Sequence, residues 1–391
     1  IGVNFVLAFC TAFLYSTFQE GTAMNNSCAV LGDDWSILVR FLPDGWRDKA
    51  KELGALQRFR AFPDVDALLR TLLDHVAKGS SLRGTAVRAA LWGCASVSDV
   101  AIWKRLKRAG DWLRWMAEGV MERWVQRSCW EPLGADLRLR VVDGTTVQEP
   151  GSKGISWRLH YSIDLPSLMC TEVHLTRVKV GESFKRFAVQ QGDVLMGDRG
   201  FAHASGIAHT LLSGGHVIVR VNLTNVRFQD AAGRQFPLLD RLRTLSSCQI
   251  GDWDVWVPYQ RALFPGRICA LKLSDAAQEK SVRKTQRKNG KKGTVKPETL
   301  EAARYVMVFT TLDRSIAAET ILDCYAARWQ IELVFKRLKS LLHLGHLRKK
   351  DTQSARAWIH AKLLLAFLIE AIRRAARDFF PWGYPLGRGT H

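Results

Sequence analysis

The sequence contains no pair of cysteines at C-x-x-C spacing, because its eight cysteines are spread singly along 391 residues. A disulfide framework and a structural zinc site both need clustered cysteines, so the pattern excludes both. Single cysteines are typical of reduced, buried residues in a cytoplasmic protein. No apolar run is long enough to cross a membrane. A nucleotide-binding glycine loop, an H-E-x-x-H motif and a G-x-S-x-G motif are also absent, which leaves those enzyme classes without local support.

Acidic residues are scarce beside basic ones. The chain has 37 Asp and Glu against 57 Lys and Arg, a formal net charge of +20. Such an excess is not needed for folding and is typical of a protein with a polyanionic partner, either nucleic acid or, less often, an acidic membrane surface. The 47% content of hydrophobic residues excludes overall disorder, and the length favours two or three domains.

The first 23 residues contain no Lys or Arg and are mostly apolar at their start. A secretory signal peptide begins with basic residues, so the segment lacks that pattern. We therefore expect Met24 to be the natural start and residues 1–23 to be a non-native or upstream segment.

Residues 24–135 are predicted to form an all-α region. Two short segments within it, 81–92 and 98–109, are separated by Gly93, and Ser98 is a suitable N-cap for the second. This is the outline of a DNA-binding helix-turn-helix, although an ordinary corner of a helix bundle has the same outline. The candidate DNA contacts in the second segment are Lys104, Arg105 and Arg108.

After Gly134 the pattern changes to that of β-strands. Residues 137–142 predict a strand that ends on Asp143, and residues 194–196 predict a buried strand followed by Asp198. Sites often assemble at strand ends in α/β sheets, but Asp beside Gly is also common in turns. The other elements predicted here are strands over 157–165 and 170–178 and a short helix over 181–187, which together give a mixed α/β layer.

Residues 216–300 are predicted to be mostly β-strand. They end in a stretch, 280–296, that contains eight basic residues and no acidic one. Asn289-Gly290 and Pro297 predict a surface loop there, and plain solvation and phosphate contact are both open. A further strand is predicted over 305–309, and helices over 316–342 and 355–376.

One polar stripe stands out on the helix predicted over 316–342. At about 100° per residue, Tyr325, Arg328, Glu332 and Lys339 fall within an arc of about 60°. The alternative is a solvent-exposed face on which Glu332 pairs with Arg328 one turn away.

Three carboxylates are candidates for a common site, namely Asp143, Asp198 and Glu332. If they converge, they form an oxygen site of the kind that Mg²⁺ or Mn²⁺ prefers. Two such ions serve phosphoryl transfer, in which they activate the attacking oxygen and stabilise the leaving one.

These residues resemble the motifs of a large family of bacterial insertion-sequence transposases with a DDE active site. Residues 325–339 resemble the family's Y-R-E-K signature. Val141-Val-Asp143-Gly-Thr145 and residues 195–201 resemble its two Asp motifs. The spacing also fits, with 55 residues from Asp143 to Asp198 and 134 from Asp198 to Glu332.

The resemblance implies an RNase H-like core in two parts, 136–215 and 301–391, interrupted by a β-rich insertion over 216–300. It implies that Asp143, Asp198 and Glu332 are the catalytic triad and bind two Mg²⁺ or Mn²⁺ ions. The residues that would contact DNA phosphates are Tyr325, Arg328, Lys339 and Arg199. The candidates for stacking on a flipped base are Trp253 and Trp256, for which a place in the core is the alternative.

The function implied is metal-dependent cleavage at transposon ends followed by strand transfer to target DNA. The partners implied are double-stranded DNA, as terminal inverted repeats and target, and a second copy of the chain in a synaptic dimer, with no membrane. The location implied is the cytoplasm, at the nucleoid. The alternatives are a metal-dependent nuclease of similar fold, a catalytically silent DNA-binding relative and, against the charge, a glycosidase.

Overall fold

The structure is a computed structural model that describes residues 35–124, 133–134, 136–151, 157–289, 295–345, 347 and 351–379. The expected non-native segment, 1–23, lies outside these residues. The chain divides into two compact units. A helical unit comprises Ile1–Trp124, Gln148–Gly154 and Leu338–His391, and a sheet unit comprises Val125–Val147 and Ile155–Arg337.

The helical unit packs around the apolar faces of its helices. Trp112 is fully buried, and its indole Nε1 donates to the Trp46 carbonyl at 2.8 Å. Asp64 and Ser98 cap helices through their side chains, and Ser98 is the N-cap that the sequence predicts. The helices are α1 (Trp46–Glu52), α2 (Val65–Lys78), α3 (Leu82–Leu91), α4 (Asp99–Arg108), α5 (Gly110–Trp124) and, at the end of the chain, α12 (Thr352–Phe379). In the described residues, no helix is both long and apolar enough to cross a membrane.

The sheet unit is built on one mixed sheet of eight strands in the order β3-β2-β1-β4-β5-β8-β7-β6. The strands β1, β4 and β5 are parallel, and every other pairing is antiparallel. The strands are β1 (Arg138–Val147), β2 (Trp157–Asp164), β3 (Cys170–Arg177), β4 (Asp193–Gly197), β5 (His216–Arg220), β6 (Ile250–Tyr259), β7 (Ala262–Lys272) and β8 (Tyr305–Thr310). The mixed sheet predicted from the strand pattern is therefore present.

In the chain, the helices of the sheet unit come between these strands or after β8. They are α6 (Ala204–Leu212), α7 (Leu238–Arg243), α8 (Asp275–Asn289), α9 (Pro297–Ala302), α10 (Ala318–Ala326) and α11 (Trp329–Leu341), whose last residues fall in the helical unit. Only Phe184–Arg186 is helical in the segment 181–187, as a single 3₁₀ turn.

Three local predictions differ from the structure. Strand β1 does not end at Asp143 but continues to Val147, because Gly144 to Val147 pair with β2. Residues 280–289 are helical rather than a loop. The helix predicted over 316–342 is two helices, because the chain turns at Ala327 and the Arg328 N–H bonds the Tyr325 carbonyl three residues back.

The structure also divides the chain differently from the predicted boundaries at 215 and 300. Strand β5, within the predicted insertion, lies in the middle of the sheet beside β4. The hairpin of β6 and β7 extends the same sheet through β8. Because backbone hydrogen bonds continue across all eight strands, Val125–Val147 and Ile155–Arg337 form one unit, and the residues from Leu338 onward belong to the helical unit.

Candidate active site

Asp143 lies in β1, and Asp198 is the first residue after the neighbouring parallel strand β4. Val141 in β1 pairs with Met196 in β4, and each Asp follows its partner of that pair by two residues. Side chains two residues apart point to the same face of a sheet, and neighbouring strands are about 4.8 Å apart. The register therefore brings the two carboxylates to one face at adjacent positions.

The two aspartates are held by the same kind of local contact. Asp143 Oδ1 accepts a hydrogen bond from the Gly144 N–H at 2.7 Å, and Asp198 Oδ1 accepts one from the Gly200 N–H at 2.7 Å. In both cases the backbone that follows fixes one carboxylate oxygen. Both side chains remain partly accessible to solvent.

A third carboxylate, that of Glu182, lies between Gly144 and Gly200. Its Oε1 is 2.6 Å from the point where a Cβ on Gly144 would stand, and its Oε2 is 2.6 Å from the corresponding point on Gly200. Any side chain at either glycine would displace the Glu182 carboxylate, so both glycines admit it beside the aspartates. Sequence reasoning missed Glu182 because it precedes a short 3₁₀ turn and belongs to no motif.

The carboxylates of Asp143, Asp198 and Glu182 repel one another when no counter-ion is bound. Burial, together with the charges of Asp198 and Glu182, raises the pKa of Asp143 to about 7, against the lowering by its Gly144 hydrogen bond and Arg328. Burial and the Asp198 charge also raise the pKa of Glu182. Like charges that repel in a partly buried place favour the neutral form of one partner.

Arg328 is the residue of the Y-R-E-K segment whose charge acts on the carboxylate of Asp143. It donates through Nη2 to Glu332 Oε1 at 2.5 Å, and its guanidinium carbon lies 5.8 Å from the ring centroid of Tyr325. Glu332 is 60% exposed and Arg328 only 16%. The Arg328–Glu332 pair that was the alternative interpretation is thus formed, and the same Arg also faces the site.

Two further arginines border Tyr325 and Asp198. Partial burial and the charge of Arg220 lower the pKa of Arg199, while Tyr325 and Asp198 act in the opposite direction. Burial raises the pKa of Tyr325, which Arg328 and Arg220 counteract. Arg220 ends β5, the parallel strand next to β4, and a basic residue at the end of a third parallel strand is the signal that sequence reasoning did not use.

The remaining predicted residues occupy different positions. Lys339 is exposed on α11, and Lys104 and Arg108 are exposed on α4. Arg105 is half-buried, and its guanidinium donates to the carbonyls of Ala55 and Arg58 at 3.5 and 3.4 Å.

The two candidate stacking residues, Trp253 and Trp256, lie on β6. The ring of Trp253 folds over Gly251 and packs against the core near Phe236, with 6.5 Å between ring centroids. Trp256 is half-buried, and its backbone pairs with Gln229.

The carboxylates are chemically suited to bind a hard divalent cation. Asp143, Asp198 and Glu182 supply oxygen ligands, and their mutual repulsion is what a cation would relieve. Among the described residues, however, no three Asp, Glu, His or Cys side chains are close enough together to hold a metal ion. Glu332 is engaged with Arg328 instead.

The chain resembles known proteins over most of its length. The family described as "Transposase DDE domain" matches residues 134–368. The transposase for insertion sequence element IS421 of Escherichia coli is 37% identical over 360 residues, which cover 89% of this chain and 96% of that protein. The InsL protein of insertion sequence element IS186A of E. coli K12 is 37% identical over 359 residues, with the same coverage. The transposase for IS231F of Bacillus thuringiensis subsp. israelensis is 24% identical over 268 residues, 59% of this chain and 55% of that protein.

Proposed function

Because the chain belongs to the family of transposases with a DDE domain and is an insertion-sequence transposase, we propose that Asp143, Asp198 and Glu332 are its catalytic triad. The family implies an RNase H-like fold and dependence on a divalent metal ion. The observation that carries the proposal is the β1–β4 register, in which Asp143 and Asp198 follow the paired residues Val141 and Met196 by the same two positions.

We propose Mg²⁺ or Mn²⁺ as the metal, bound as two ions by the triad. When bound, such ions activate the attacking oxygen and stabilise the leaving oxygen in phosphoryl transfer. Asp143 and Asp198 hold their positions through the Gly144 and Gly200 N–H groups. Glu332 is held one helical turn from Arg328 and joins the aspartates when Arg328 is drawn to another anion.

The cations beside the carboxylates would bind the DNA backbone near the cleaved end. Arg328, Arg199 and Arg220 surround Tyr325 and Asp198. Guanidinium groups hold phosphate oxygens through paired charge-assisted hydrogen bonds, which fix the scissile phosphate against the carboxylates. Lys339 would contact phosphates further along the same strand.

The substrate proposed is double-stranded DNA, as terminal inverted repeats and then as target, with two copies of the chain pairing the two ends at the nucleoid in the cytoplasm. Hydrolysis would free a 3′-hydroxyl that attacks the target. Lys104 and Arg108, exposed one turn apart on α4, fit backbone contacts to the repeats. Arg105 fits this role less, since its guanidinium already bonds two carbonyls. Both tryptophans are half-buried, and Trp256 fits base stacking better than Trp253, whose ring packs on the core.

The test is incubation of the protein with the DNA of its own element and Mg²⁺. Nicks that leave 3′-hydroxyls at the element ends, and joined products with target DNA, are expected. Asp143→Asn, Asp198→Asn and Glu332→Gln should each bind DNA and fail to nick it. Nicks without joined products would instead favour the metal-dependent nuclease, and robust nicking by any of the three variants would contradict the triad.

A further inference from the structure

Helix α8 carries a continuous basic face. Its basic residues follow each other at the spacing of successive helical turns, so that at about 100° per residue they fall within an arc of about 140°. All five are exposed. They are Lys280, Arg283, Lys284, Arg287 and Lys288.

Most of this charge is not neutralised locally. Arg283 pairs with Glu279 at 3.2 Å, one turn away. Among the described residues, no carboxylate lies within ion-pair distance of Lys280, Lys284, Arg287 or Lys288. An ordinary solvent-exposed helix interleaves both signs, because like charges one turn apart repel. This face therefore has the charge pattern of a surface that is completed by a polyanion.

The opposite face of α8 is anchored to the sheet unit. Gln278 Nε2 donates to the Leu273 carbonyl at 2.7 Å, and Ser281 Oγ donates to the Ala303 carbonyl at 2.6 Å. Val282 and Thr285, on the same side, are partly buried. The basic face is thus held outward on a docked helix, so a ligand does not have to order it first.

The topology places α8 beyond the C-terminal end of β7, at the same end of the strands as the candidate active site. Strands β5 and β7 both pair antiparallel with β8, so they run in the same direction, and β5 is parallel to β4 and β1. Arg220 of β5 and Cys269 of β7 are both level with Val308. Strand β7 continues for three residues past that level, to Lys272, and α8 begins at Asp275.

We propose that the basic face of α8 is a second contact surface for the phosphate backbone of duplex DNA, separate from the arginines around Tyr325. The inference rests on the proposed function, because the DNA would be the one whose end lies in the active site. The five cations span about 12 Å along the helix axis, a length over which duplex DNA carries about seven phosphate charges. Such contacts position the duplex and do not read its sequence.

The experiment measures the affinity for duplex DNA of a transposon end between about 50 and 200 mM salt. It compares the full-length protein with Lys284→Gln/Lys288→Gln. Removing two phosphate contacts should make the slope of log K against log salt less negative by about 2. The loss of affinity should be equal for specific and unrelated duplexes. Hydroxyl-radical footprinting should also lose protection at a limited set of phosphates.

The matched control is Arg234→Gln/Arg261→Gln, which removes the same charge. Arg261 lies in the turn between β6 and β7, at the start of β7 and so at the end of the strands opposite to α8. Arg234 is exposed and pairs with Asp230. Its slope should stay that of the wild-type protein. An unchanged slope and footprint for the α8 variant, or equal effects of both variants, would overturn the inference while wild-type nicking still supports the proposed function. A wild-type protein that neither nicks nor binds element DNA would instead refute the proposed function.

Discussion

Arg328 donates through Nη2 to Glu332 Oε1 at 2.5 Å, while its charge also acts on Asp143. The third member of the proposed triad is therefore held by the same side chain that faces the first. A phosphate that competes for this guanidinium would release Glu332 at the moment when substrate is present. This relationship would join substrate binding to assembly of the proposed site.

Replacement of Arg328 by Lys tests that relationship. Lysine keeps the positive charge but lacks the planar guanidinium that bonds Glu332 and lies over the Tyr325 ring. We expect single-turnover nicking to slow by about 10- to 100-fold, with the affinity for DNA changed much less. Nicking at the wild-type rate would show that the fork of Arg328 has no part in the reaction.

Glu182 is predicted to contribute to divalent ion binding through its charge. Glu182→Gln keeps the shape that fills the space beside Gly144 and Gly200 but removes one negative charge. We expect the affinity for Mn²⁺, measured by electron paramagnetic resonance without DNA, to fall about tenfold. The control is Glu298→Gln, which removes an exposed carboxylate on α9 and should leave Mn²⁺ binding unchanged.

A second variant separates this role from simple packing. In Gly144→Ala the added methyl group meets the Glu182 side chain from its Cγ to its carboxylate, so the free energy of unfolding should fall by about 1–3 kcal/mol and leave the protein folded. The displaced carboxylate should still weaken Mn²⁺ binding. If Gly144→Ala and Glu182→Gln both bind Mn²⁺ as the wild-type protein does, Glu182 is not part of the ion site.

The stability of the metal-free protein should depend on the ionisation of Asp143. Its pKa is raised to about 7 in the folded state, above the value of about 3.9 for an unfolded chain. Between these values the folded state binds more protons, so stability falls as the pH rises from about 4 to about 7. Asp143→Asn should remove this dependence and be more stable at pH 8 by about 2–4 kcal/mol, since one pKa unit corresponds to about 1.4 kcal/mol.

Urea unfolding of both proteins at several pH values measures that difference. Excess Ca²⁺ at pH 8 should raise the midpoint of the wild-type protein more than that of Asp143→Asn, because the ion relieves the same repulsion. Parallel pH profiles for the two proteins would contradict the proposed environment of Asp143.

The strands that carry the aspartates are held together by a buried ion cluster. Arg140 of β1 bonds Asp193 of β4 at 2.9 Å and Glu172 of β3 at 2.6 Å, and Arg140 and Asp193 are both almost fully buried. Arg140→Ala would remove the buried cation between Asp193 and Glu172, which keep only the more exposed Arg138 and His174 as ion partners among the described residues, so we expect a loss of about 3–5 kcal/mol in the free energy of unfolding. Chemical denaturation measures it, and a loss under about 1 kcal/mol would mean that the cluster does not hold the strands.

The sequence predicts the parts of this site that local pattern controls. Apolar runs locate the strands that lead to Asp143 and Asp198, and the predicted N-cap Ser98 marks a real helix start. The motifs point to the family because the Y-R-E-K spacing is highly specific and the two Asp motifs, weak singly, are strong in this order.

Other features depend on tertiary contacts that no local pattern records. Glu182 reaches the aspartates only because the chain between β3 and β4 folds back over the sheet. Helix α8 has almost no apolar periodicity, and Asn289-Gly290 and Pro297 suggested a surface loop there. Its hydrogen bonds to the carbonyls of Leu273 and Ala303 become visible only in the fold. The turn at Ala327 places Tyr325 on α10 and Glu332 on α11, with Arg328 in the turn between them, which a uniform helical wheel does not predict.

The most direct measurement is a change of metal preference in Asp143→Cys. A thiolate binds Mn²⁺ better than it binds Mg²⁺, whereas a carboxylate accepts both. The account predicts that this variant fails to nick element ends in Mg²⁺ and regains nicking in Mn²⁺, while Asp193→Cys, altered in the buried ion cluster, shows no such preference. Equal activity of Asp143→Cys in the two metals, or nicking at the wild-type rate in Mg²⁺, would contradict the assignment of Asp143 to the ion site.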